Sequence, residues 1–137
     1  MGKLTARLED ASRSGVYRSK RMDEILDAVR GTGLAAARIR HADKPALMKN
    51  MAAALAFPDW FGEGWDALED CLTDLSWSDA AGHVLVIEDA RAGDEVGILI
   101  DVLRSSAEFW AGRGKPFFAV FVDPARALPL PDLFREK

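Results

Sequence analysis

Apolar positions along the chain recur with two periods. Met22, Ile25, Leu26 and Val29 are spaced three, one and three apart, which predicts a short amphipathic helix stopping at Gly31 and Gly33. Leu34 to Ile39 alternates weakly, and the glycines before it and Asp43 after it favour a strand. Asp43 then suits a helix N-cap with Pro45 in the first turn. Leu47, Met48, Met51, Ala54 and Leu55 carry a helical stripe to Phe57, and Pro58 ends it. Trp60 to Gly64 reads as a glycine loop, and a further helix is predicted from about Trp65 to Leu75. Gly82 to Ile87 is a β-branched run of the kind found in buried strands. Asp94-Glu95 opens a long helix with Val96, Leu99, Leu103, Ala107 and Trp110 on one side, closed by Gly112 and Gly114. Lys115 to Val122 is the last strand, ended by Asp123-Pro124.

The order helix, strand, helix, helix, strand, helix, strand predicts an α/β fold: a small three-stranded parallel sheet with helices mainly on one face and an extra helix before the first strand. At 137 residues the chain suits one domain. Residues 1–14 are basic and rich in Ser and Arg, and are expected to form a mobile tail. Residues 15–123 form the domain, and 124–137, with three prolines, an irregular tail. No apolar run approaches the roughly 20 residues that span a bilayer, and the first residues lack the apolar stretch of a secretory signal. Cys71 is the only cysteine, which suits a reducing compartment. A cytoplasmic monomer is expected.

Charge adds a direction to this picture. Residues 50–90 hold nine acids and no Lys or Arg, whereas the remainder carries 18 bases and 13 acids, within a net charge of −4. The acidic block disfavours direct contact with nucleic acid and calls for a basic partner. With about 100° per helical residue, Trp65, Leu68, Leu72 and Leu75 share one side of the predicted helix. Asp66, Asp70 and Asp74 lie opposite, and Glu63 extrapolates to the same stripe. Helix polarity accounts for Glu63 and Asp66 near the N-terminus but not for Asp70 and Asp74, and each like-charge i, i+4 pair costs roughly 0.2–0.5 kcal/mol. A solvated polar face is the plain explanation, yet such faces usually mix signs. Trp60 and Phe61 stand beside the stripe, giving the composition of an interface centre.

Catalytic chemistry is not indicated. Two carboxylates one turn apart on an exposed face should both be ionised, unlike an acid–base pair split by a cleft. His41 and His83 fall on predicted strands far from the stripe, so no metal site is expected, and no phosphate loop, Ser/His pair or CxxC is present. Cys71 reads as a packed thiol. No enzyme activity, cofactor or metal is expected.

The stretch Trp60-Phe61-Gly62-Glu63-Gly64-Trp65-Asp66-Ala67-Leu68-Glu69-Asp70-Cys71-Leu72-Thr73 resembles the signature of the barstar family of ribonuclease inhibitors. That signature reads aromatic-aromatic-Gly-Glu-Asn, an apolar residue, then Asp-Ala-Leu-x-Asp-Cys-Leu-Thr. The element pattern from about Leu34 to Val122 resembles the family as well. The resemblance implies that the acidic helix and its preceding loop plug a ribonuclease active site, their carboxylates standing where substrate phosphates meet the enzyme's Arg, Lys and His. Asp66 and Asp70 match the two central aspartates, and Trp60 and Phe61 the aromatics that pack over the site. Gly62, Glu63, Gly64, Glu69, Thr73 and Asp74 complete the expected partner-binding surface. Three departures stand out: Gly64 replaces Asn, Glu69 replaces Trp, and Asp74-Leu75 replaces Gly-Trp. The expected partner is a basic ribonuclease, barnase-like or another nuclease toxin, which would make the chain an antitoxin. The alternative is a regulatory domain that binds a basic protein with no nuclease activity.

Overall fold

A computed structural model describes residues 2–134. Four strands form one all-parallel sheet in the order β1-β4-β3-β2, comprising β1 (Gly15–Ser19), β2 (Leu34–Arg40), β3 (Gly82–Glu88) and β4 (Phe117–Val122). Among the described residues five α-helices accompany it: α1 (Lys3–Leu8), α2 (Met22–Val29), α3 (Lys44–Leu55), α4 (Trp65–Leu72) and α5 (Asp94–Ala111). The sheet therefore has four strands where the sequence predicts three. The additional strand, β1, is five residues long and offers only Val16 and Tyr17 as strand-forming residues, so alternation has no length in which to show.

Alternation on the central strands explains why both faces are dry. On β3 and β4, Leu85, Ile87, Phe117, Ala119 and Phe121 join the large core beneath α3, α4 and α5. Val84, Val86, Phe118 and Val120 point the other way, against Ile25 and Val29 of α2 and Leu8 of α1. Helices thus cover both faces, α3, α4 and α5 on one and the shorter α1 and α2 on the other. A continuous apolar run such as HVLVI is the mark of a strand buried on both sides.

The described segments before β1 and after β4 are also tied down. Residues 1–14 are expected as a loose tail, but α1 lies within them, Leu8 is 0% exposed, and Thr5 donates its hydroxyl to the Ala28 carbonyl at 2.9 Å. Among the described residues beyond β4 no helix or ladder strand follows, yet Leu128, Leu130 and Leu133 are buried. Arg18 draws this segment along the free edge of β1. Its amide donates to the Pro131 carbonyl at 2.8 Å, its carbonyl accepts from Leu133, and its Nε meets Asp132 at 2.9 Å. An edge strand is covered in this way instead of being left open.

Candidate functional site: an acidic helix and an aromatic loop

The surface is assembled from the end of α3 onward. Asp43 caps α3 by accepting the Ala46 amide at 3.0 Å, with Pro45 in the first turn as predicted. The helix ends at Leu55, two residues earlier than expected, because Ala56 turns left-handed (φ 55°) and lets the Phe57 amide reach the Ala52 carbonyl. That turn aims Phe57 into a cluster of aromatic rings. Phe57 meets Phe61 edge-on at 4.9 Å and Trp77 at 6.0 Å, and Trp60 stands against Trp77 at 6.4 Å. Trp77 is fixed in turn by its indole N–H donating to the Leu55 carbonyl at 2.9 Å. The pair Trp60-Phe61 is split: Phe61 packs on the main core, while Trp60 remains 59% exposed. Sequence reasoning passes over Trp77. Its spacing fits no helix, and its role as the brace behind Trp60 depends on a contact across the loop.

Glu63 occupies the left-handed region at φ 59°, and Gly62 and Gly64 do not. For a glutamate this conformation costs about 1–2 kcal/mol. A Cβ on Gly62 would sit 3.5 Å from Ala67, and one on Gly64 would meet nothing within 4 Å. Neither glycine is required sterically. Gly64 is the N-cap of α4 and supplies no side-chain hydrogen bond.

On α4, Leu68, Cys71 and Leu72 are buried, as the wheel predicts, and Asp66 and Asp70 are exposed. Glu69 is half-buried. The helix stops at Leu72, so Asp74 is exposed beyond the helix, which corrects the expected continuation to Leu75. Thr73 ends it by donating its hydroxyl to the Glu69 carbonyl at 2.8 Å, and Leu75 (φ 49°) turns back into the core. The helical part of the stripe is therefore Asp66 and Asp70, with Glu63 and Asp74 flanking it from loops. Among the described residues, no ion pair within the chain engages Glu63, Asp66, Glu69, Asp70 or Asp74, while arginines elsewhere pair with other acids. Lys44 approaches this region over the Trp65 ring at 5.6 Å.

The local field is felt at Cys71. Burial, reinforced by the negative charges of Asp74 and Asp70, pushes its thiol above the ordinary value. The thiol is thus kept neutral and packed. Trp110 of α5 donates its indole N–H to the Leu72 carbonyl at 2.7 Å, fixing the end of α4 to the longest helix. Among the described residues no cluster of three His, Cys, Asp or Glu side chains could hold a metal. His83 is buried on β3 with Ser78 Oγ at 3.1 Å from its Nε2, and His41 follows β2. Among the described residues, cavities of about 270–790 Å³ are lined by residues other than Asp66 and Asp70. What this surface offers chemically is fixed negative charge beside one outward tryptophan.

No helix of the described residues is long and apolar enough to cross a membrane. No curated protein matches the chain significantly. Residues 34–122, from the start of β2 to the end of β4, match the family model described as Barstar (barnase inhibitor). With that match covering well over half of its length, the chain belongs to the Barstar (barnase inhibitor) family.

Proposed function

We propose that this chain is a cytoplasmic inhibitor of a basic ribonuclease, acting as the antitoxin of a nuclease toxin. Asp66 and Asp70 take the place of RNA phosphates in the enzyme's cationic site, and Trp60 packs over its rim. Glu63, Glu69 and Asp74 extend the negative surface, Thr73 ends the helix that carries it, and Gly62 and Gly64 offer the partner close approach to bare backbone. The observation that carries this reading is the exposure of Asp66 and Asp70 on α4 with no cation of the chain paired to them among the described residues. Charges left unpaired in the free protein need no internal ion pair broken when a cationic partner arrives, and they attract that partner over roughly the 10 Å Debye length of 0.1 M salt. Mimicry needs no catalysis and no cofactor.

Capture from native cell extract on the immobilised chain at low salt provides the test, with the eluate assayed for ribonuclease. The expected result is a basic ribonuclease whose activity falls when free chain is added back. A basic partner without ribonuclease activity would overturn the nuclease assignment and favour a regulatory domain.

A further inference from the structure

Away from α4 the surface carries a second charged feature, of opposite sign. Among the described residues, a cleft of about 490 Å³ is lined by Arg18, Lys20, Arg21 and Arg126 together with Glu24 and Asp132. Leu133 and Phe134 add an apolar side. Arg21 is engaged by Asp23 at 3.4 Å and by Glu24 at 3.8 Å across exposed contacts, and Arg18 and Arg126 both meet Asp132. Lys20 has no ion pair among the described residues.

The fold holds this cleft rigidly. The buried Asp123 carboxylate accepts the Ala127 and Leu128 amides at 2.9 and 2.8 Å, forming the tight turn that carries Arg126. Arg18, its side chain only 13% exposed, holds the Leu128 carbonyl and Asp132 together. Asp132 also meets Arg126 at 3.5 Å. The cleft lies where β1 and β4 end, since the Asp123 amide donates to the Ser19 carbonyl and Ser19 itself lines the wall. Here α2 after β1 packs on one core, while the segment after β4 first sends Leu128 and Leu130 to the other core before Leu133 returns to the one α2 covers. In open α/β sheets such a crevice beyond the strands' carboxyl ends is where ligands bind. Arginine's planar fork is suited to phosphate oxygens, and a preformed cleft of this size suits a small molecule.

We propose that this cleft binds the phosphate group of a small phosphorylated molecule. The proposal is independent of the inhibitory role, since the cleft shares no residue with the acidic surface.

Nuclear magnetic resonance titration of the full chain tests it, using inorganic phosphate, 5′-AMP and adenosine at fixed ionic strength. Phosphate and AMP should give saturable shifts at the amides of Ser19, Lys20, Arg21 and Arg126, and adenosine none. AMP binding at least tenfold tighter than phosphate would identify an ester whose organic part lies on Leu133 and Phe134. Equal affinities would identify free phosphate, and either result supports the site. Lys20→Gln combined with Arg126→Gln should weaken binding at least tenfold, with unchanged resonances elsewhere showing an intact fold. Shifts that grow without saturating, adenosine shifts equal to those of AMP, or undiminished affinity in the double variant would each overturn the proposal.

Discussion

Asp70 lies two residues before the end of α4, one turn from Asp66, where helix polarity disfavours a negative charge. Removing that charge without changing the side chain's shape relieves one like-charge pair. Asp70→Asn should hold or raise stability in urea by about 0.2–0.5 kcal/mol. The same change should weaken binding to the partner nuclease by well over tenfold, more than about 1.4 kcal/mol. A loss of stability would mean that the carboxylate has a structural partner. Gly64 offers the opposite experiment. It caps α4 in an extended conformation with open space where a Cβ would be. Gly64→Asn should add a capping hydrogen bond and a few tenths of a kcal/mol, read as a raised urea midpoint.

At the scale of elements, α4 is only eight residues long, and its hold on the molecule depends on α5. Trp110→Phe removes the indole N–H and strands the Leu72 carbonyl, at a cost of about 1–3 kcal/mol by denaturation. Because Asp70 precedes that carbonyl by two residues, partner binding should also fall, through faster dissociation. Elements were legible where period and punctuation agreed. Asp43, Pro45 and the Leu47–Met51 stripe defined the start of α3, and α2, β3 and α5 fall where their apolar positions place them. The core face of α4 and the exposure of Asp66 and Asp70 followed from helical geometry alone. Other features depended on contacts distant in sequence. β1 is a strand because β4 and the Pro131–Leu133 segment flank it, not because GVYRS announces one. Asp74 left the helix because the Thr73 hydroxyl and the burial of Leu75 ended α4 early. Trp77 became visible only once Phe57 and Trp60 were placed around it.

For the whole molecule, two fields lie on separate surfaces, the acidic one on α4 and its loops and the basic one around Arg18 and Arg126. The acidic field should make association with a cationic partner strongly salt-dependent while dissociation changes little. Stability should depend on acidity through the histidines. Burial, with the positive charge of Lys115 behind it, holds the His83 pKa below its ordinary 6.5. Burial likewise lowers that of His41, partly offset by the negative charge of Glu95. In the unfolded chain both take up protons more readily. Their contribution to stability is therefore present above about pH 6.5 and is lost as pH falls through the depressed folded values. Urea midpoints should decline below pH 6.5, and His83→Gln should flatten that decline; an equal slope in the variant would remove His83 from the account.

The central claim is that Asp66 and Asp70 stand in for phosphates in a ribonuclease site. Its most direct test is inhibition of the captured ribonuclease by wild type and by the Asp66→Asn, Asp70→Asn double variant, with the variant shown to be folded by cooperative thermal unfolding. The expected result is a loss of inhibition of more than about a hundredfold in the double variant, corresponding to at least about 2.7 kcal/mol. Equal inhibition by the two proteins would contradict the account.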